Sequence, residues 1–301
     1  MAGRVFIGTS SWVDKELVDS GRFYPPELKD SAERLAFYAE RLDLAEVDST
    51  YYALPSRKNT ERWAAAVPDG FRFNVKAFAL FTQHPTPLKS IPKSFHEALP
   101  PETLKKSRVY YKDVPPEVSD DLWRIFRRAL EPMRAAGKLG AVLVDFPPWY
   151  VPNDANREFI AHAREKFEGD NVVIEFRNRL WVDDEESAER TFGLLRDLGC
   201  GFVCVDEPAG LKTSFPPVVA TTGPVASVRF RGRNAERWED KTATMSERLN
   251  WTYSDDELGE WLPRVRRLAG EAEEVYAVFN TKTADQGVAN ALRFKELLGT
   301  R

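Results

Sequence analysis

The sequence predicts a single parallel (β/α)8 barrel of the TIM type. Eight short apolar runs alternate with amphipathic, helix-period segments along 301 residues, and that alternation builds a parallel sheet. Eight such units in about this length fit a closed barrel better than an open doubly wound sheet. No GxGxxG follows the first strand, which argues against a dinucleotide-binding fold. Residues 1–301 are therefore expected to form one barrel domain.

The strands expected in chain order are Val5–Thr9, Leu44–Ser49, Phe71–Ala77, Ala141–Phe146, Val172–Arg177, Phe202–Asp206, Ala226–Arg231 and Val275–Asn280. Helical periodicity runs from Ser31 to Arg41, with Asp30 or Ser31 as cap, and then over Ser56–Ala66, Val118–Ala136, Asp154–Phe167, Glu185–Leu198, Ser254–Leu268 and Thr283–Leu298. The sixth unit departs from the ideal, because Glu207–Pro224 reads as a loop with a short helix or none. Long loops follow strands three, six and seven. The first, 78–116, carries seven prolines and six basic residues and reads as a lid-like insertion. Gly232–Tyr253 is the loop after strand seven. Both fall on the face where barrel active sites lie.

Hydrophobic content of 43% and charged content of 30% suit a soluble globular chain. A net charge of −4 gives no general basic footprint for nucleic acid or anionic membrane. No apolar run can span a bilayer, and the start lacks the long apolar core of a signal peptide. Cys200 and Cys204 on one strand would lie ~13 Å apart, too far for a disulfide. Free thiols fit a reducing cytoplasm.

Alternation along the strands assigns the inner face. VVIEFRNRLW at 172–181 puts Val173, Glu175 and Arg177 on one side and Val172, Ile174 and Phe176 on the other. By the same parity, Glu46, Asp48, Lys76, Asp145, Asp206, Arg229, Arg231 and Asn280 point into the barrel near the carboxyl ends of the strands. Five acids thus face four bases. Such a mouth is either wet or internally neutralised, since ionised groups are costly to desolvate unpaired. The plain alternative is a charge network that merely closes the barrel.

RFRGRN at 229–234 places two arginines inward before Gly232, which permits a sharp turn. Guanidinium forks there suit phosphate or carboxylate; equally, they could neutralise Asp206 and Glu175. Lys76 amid acids is expected to be an ion-paired ligand-binding ammonium rather than a Schiff-base nucleophile. The acids offer oxygen ligands to Mg²⁺ or Mn²⁺, but interleaved bases argue against a tightly held ion, and no cofactor is expected. No HExxH, CxxC or GxSxG pattern occurs. Trp12, Tyr51, Tyr52, Trp149, Tyr150 and Trp181 follow strand ends, where they would stack on a ligand or plug gaps under loops.

GTSSW at 8–12, FYP at 23–25, EVDSTYYALPS at 46–56, ERWAAAVPDGFRFNVKA at 61–77, DFPPW at 145–149, VIEFRNRLW at 173–181, VRFRGRN at 228–234 and FNTKTADQGVANA at 279–291 together resemble the YecE-like family, also called domain of unknown function 72. The resemblance covers nearly the whole chain in order. It implies a TIM barrel with no settled activity, and family-like positions at Glu46, Ser49, Lys76, Glu175, Arg177, Trp181, Asp206, Arg229, Gly232 and Asn280. The chain departs from the family at Asp48 (usually Asn), Asp145 (Gln), Arg231 (His) and Thr281 (Asn). With the histidine gone, acid–base work would fall to Glu175, Asp206 or Lys76. Arg231 is expected to contact Asp48 or Asp145.

These readings point to an enzyme acting on a small anionic or sugar-like substrate. Glu175, Asp206 and Lys76 would be catalytic, and Glu46, Asp48, Asp145, Arg177, Trp181, Arg229, Arg231 and Asn280 would bind substrate. Nucleic-acid binding or phosphodiester cleavage, and non-catalytic ligand binding, are the alternatives.

Overall fold

A computed structural model describes residues 2–299. Eight strands close a parallel barrel: β1 Arg4–Thr9, β2 Leu44–Val47, β3 Arg72–Lys76, β4 Leu139–Asp145, β5 Val172–Glu175, β6 Gly201–Asp206, β7 Val225–Phe230 and β8 Glu274–Phe279. They lie in sequence order around the ring, with β1 pairing β8. The outer helices are α1 Ser31–Ala39, α2 Arg57–Ala66, α3 Pro116–Ala129, α4 Asp154–Lys166, α5 Glu185–Asp197, α6 Asp255–Glu271 and α7 Gln286–Leu298. Among the described residues, no helix joins β6 to β7, as expected, and none is long and apolar enough to cross a membrane.

Local chemistry sets the ends of these elements. Asp30 caps α1 in a reciprocal box with Glu33, and Ser56, Asn153, Asp184 and Ser254 accept from backbone N–H groups at the starts of α2, α4, α5 and α6. The helix expected over Val118–Ala136 is broken into α3 and a short turn, Glu131–Ala135. Pro132 lacks an N–H and clashes with the preceding turn, so the break falls just before it.

The lower barrel is dry. Phe6 and Tyr276 meet inside it with ring centroids 5.8 Å apart. A Cβ on Gly140 would come within 2.7 Å of Asn74 Oδ1 and 3.2 Å of the Tyr276 ring, so only glycine fits there. The β3–β4 register shifts between Phe73 and Val75. Asn74 Oδ1 accepts from Ala141 N at 3.1 Å beside that irregularity. Arg72 and Glu274 pair at 2.7 Å across the bottom end, and the inward charges singled out from the sequence gather at the top.

The stretch between β3 and α3 is tightly packed. Phe78, Leu80, Phe81, Ile91 and Val109 are fully buried, and Phe81 stacks on Trp123 of α3 at 3.7 Å. Cys200 and Cys204 are both free and buried; Cys200 lies just before β6.

Candidate functional site

The inward-facing charges form two layers at the C-terminal end of the barrel. The lower layer is dry. Arg229 of β7 forks onto Glu46 of β2, with Nη1–Oε2 at 2.8 Å and Nη2–Oε1 at 2.6 Å. Its Nε stands 3.6 Å from Glu175 Oε2 on β5. Arg231 donates to the other Glu175 oxygen and lies 4.0 Å from Glu207. Glu46, Glu175, Glu207, Arg229 and Arg231 are all at least nine-tenths buried. Burial pushes Glu46 and Glu207 upward, with Arg229 and Arg231 respectively pulling the other way. Burial, then the nearby charge of Arg177, pushes Arg231 down.

The upper layer opens into a cavity of about 570 Å³. Lys76 of β3 and Asp145 of β4 pair at 3.0 Å, with the lysine ammonium 4.7 Å from the Tyr51 ring centre. Burial disfavours the ammonium, but Asp145 and Asp48 outweigh it and hold Lys76 above the usual lysine value. Burial likewise works against the Asp145 carboxylate; Lys76, Arg177 and Arg231 outweigh it and keep that group ionised. Arg177, just past β5, lines the cavity and has no carboxylate within 4.0 Å among the described residues. Lys282 bridges Asp14 at 3.1 Å and Asp48 at 3.6 Å. Asn280 accepts from Ser10.

Loops after β6 and β7 roof the cavity with Lys212, Lys241 and Arg248. Thr213 N donates to Glu239 Oε1 at 2.9 Å and ties the two loops together. Gly232 turns the chain at φ 84°, where a Cβ would come within 2.5 Å of Trp251. Nine basic and three acidic residues line the cavity, in a chain whose net charge is −4.

Most of the residues singled out from the sequence converge here, but several do not fall where expected. Asp206 points away from the axis, because β6 has the opposite parity to that assigned. It accepts from Trp261 Nε1 of α6 at 2.8 Å, from the Tyr253 hydroxyl at 2.6 Å and from Arg233. Glu207 turns inward in its place. Trp181 is fully buried outside the barrel, stacked on Phe176 at 4.3 Å and donating to Tyr150 O at 2.6 Å; it does not reach the cavity. Arg231 makes its ion pairs with Glu175 and Glu207, not with Asp48 or Asp145. Glu46 and Glu175 sit beneath the cavity and do not line it.

Among the aromatics, Trp12 and Tyr150 are buried packing residues, whereas Tyr52 and Trp149 are exposed, and Tyr52 lines the cavity. No residue of 78–116 lines it. His84 from that stretch packs on Tyr51 at 5.3 Å and on Trp149 at 5.9 Å. Sequence reasoning missed Glu207, His84, Arg179, Lys212, Lys241, Arg248 and Lys282. Only FNTKT, placing Lys282 two residues after Asn280, gave a usable signal.

Among the described residues, no three His, Cys, Asp or Glu side chains are grouped to hold a metal ion. The acids offered for Mg²⁺ or Mn²⁺ are committed to bases instead: Glu46 to Arg229, Glu175 to Arg231 and Asp145 to Lys76.

Fold and site together define a (β/α)8-barrel protein whose C-terminal mouth is a basic cavity above a dry ion-pair layer. The chain belongs to the family described as protein of unknown function DUF72, whose model matches residues 6–301. It is 26% identical over 298 residues to the UPF0759 protein YunF of Bacillus subtilis (strain 168), covering 98% of this chain and 94% of that one. A DUF72 family protein from Thermotoga maritima MSB8 is 30% identical, with TM-score 0.75 over 98% of this chain and 99% of the other. One from Enterococcus faecalis V583 is 23% identical, with TM-score 0.79 over 99% and 96%.

Proposed function

We propose that the barrel mouth recognises a small, multiply charged anion bearing phosphate or carboxylate groups. One observation carries this reading: nine basic and three acidic residues line one cavity of a net-acidic chain. Within it, Arg177 and Arg231 stand close enough for the first to depress the pKa of the second. Arg231 is paired with Glu175, whereas Arg177 has no carboxylate within 4.0 Å among the described residues, and both forks have donors to spare. About 570 Å³ falls within the range of about 300–1,000 Å³ typical of small-molecule sites.

For an enzymatic role, Lys76 and Asp145 are the groups placed to touch a reacting atom, and they would act by stabilising charge. Glu175 is fully buried and ion-paired, which removes support for it as a general base. Non-catalytic binding is the second reading. It is favoured by Lys76 and Asp145 each being held in one charge state, while the upward-shifted Glu46 and Glu207 lie outside the cavity lining.

The test is thermal unfolding with inorganic pyrophosphate against chloride at constant ionic strength. Pyrophosphate at about 100 times its Kd should stabilise the protein by roughly 2.7 kcal/mol, and Arg177→Ala should abolish most of that gain. No stabilisation by pyrophosphate, citrate or phosphate would sink the reading. Tight oligonucleotide binding with a steep salt slope, without response to small anions, would assign the mouth to nucleic acid instead.

A further inference from the structure

The cavity is not basic all round. Arg177 and Arg231 follow β5 and β7, whereas Asp48 follows β2 and Asp145 ends β4. Asp145 is 3% exposed, and Lys76 stands 3.0 Å from its Oδ2. Its Oδ1 has no hydrogen-bond partner. Asp48 also leaves Oδ1 without a partner, while Lys282 stands 3.6 Å from Oδ2. A buried carboxylate oxygen with no donor is costly, and both residues line the cavity.

Resting on the anion-site reading above, we infer that the occupant is a hydroxylated anion of the polyol-phosphate or sugar-phosphate class. Its charged group faces Arg177 and Arg231, and its hydroxyls donate to Asp48 and Asp145. Hydroxyl donors fit better than an ammonium group. Lys76 and Lys282 already stand beside these two carboxylates and would repel another cation. Carboxylate acceptors set among the basic groups also orient a ligand, which a uniformly basic cavity would not do.

Calorimetric titration at fixed ionic strength tests this with methyl phosphate, glycerol 3-phosphate, ribose 5-phosphate, glucose 6-phosphate and phosphoethanolamine. At least one hydroxylated phosphate should bind roughly tenfold or more tightly than methyl phosphate, the gain expected from hydrogen bonds to charged acceptors. Asp48→Ala and Asp145→Asn should each shrink that advantage while leaving methyl phosphate binding equal or tighter, since each removes a negative charge from the cavity. If methyl phosphate binds and hydroxyls add nothing, this inference is overturned and the anion site stands. If phosphoethanolamine binds most tightly, the hydroxyl assignment is overturned. If no phosphate in this series binds, this inference is overturned, and the anion site is then decided separately by the pyrophosphate and citrate measurement.

Discussion

Arg177 is the side chain whose surroundings say most about the mouth. It lines the cavity, has no carboxylate within 4.0 Å among the described residues, and sits near enough to Arg231 to depress its pKa. Arg177→Ala should therefore leave stability within about 0.5 kcal/mol of wild type or raise it, as chemical denaturation would show. Arg229 is the opposite case. It is 2% exposed and forks onto Glu46, so Arg229→Met strands a buried carboxylate and should cost about 3–5 kcal/mol. Adding Glu46→Gln should recover part of that loss. A single-variant cost below 1 kcal/mol would show that the lower layer is wet. His84 sets a pH dependence. Burial, then Lys76 and Arg177, push its imidazole down to about 4 against the opposing pull of Asp145. Between an unfolded value of about 6.5 and about 4, the unfolded chain holds the extra proton. Stability should thus fall as pH drops through that window and level off below it. His162 shifts the same way, so His84→Gln should flatten the slope in part. An unchanged slope between pH 7 and 4.5 would refute the assignment.

At the scale of elements, β6 and the segment after β7 decide the shape of the mouth. Asp206 at the end of β6 holds Trp261 of α6, Tyr253 and Arg233 together. Tyr253 in turn accepts from Gly232 N at 2.9 Å, next to Arg231. Asp206→Ala leaves buried donors unpaired and should cost about 3–5 kcal/mol. Limited proteolysis of the folded variant should cut between 232 and 254 sooner than in wild type. Equal stability and equal cleavage would contradict that anchoring role. The parity of β6 was illegible for a physical reason. Phe202, Val203, Cys204 and Val205 are all buried, so both faces are apolar and hydrophobic alternation gives no sign. Where one face carried charge, as in β5 and β7, the inward set read correctly down to Glu175, Arg177, Arg229 and Arg231. Trp181 was misplaced because chain position after a strand does not tell a ligand platform from a plug. Lys212, Lys241 and Arg248 were invisible because a lysine or arginine in an irregular loop resembles any solvated surface charge.

For the whole molecule, charge is distributed against its own average. The barrel's lower half is filled largely by apolar and neutral side chains and closed below by the Arg72–Glu274 pair. A buried layer of Glu46, Glu175, Glu207, Arg229 and Arg231 lies over it, and the two arginines of that layer face the cavity with seven further basic residues. The eight-strand count and the missing helix between β6 and β7 were readable from periodicity, since each strand is a short apolar run between helical patterns. Which charges would be dry and which wet was not readable, because that depends on how far each loop folds back over the mouth. The most direct measurement is a crystal soaked in tungstate, a heavy phosphate mimic, with the anomalous signal located. A peak within hydrogen-bond reach of Arg177 and Arg231 is the expected result. A mouth without signal, with tungstate bound elsewhere on the surface, would contradict the account.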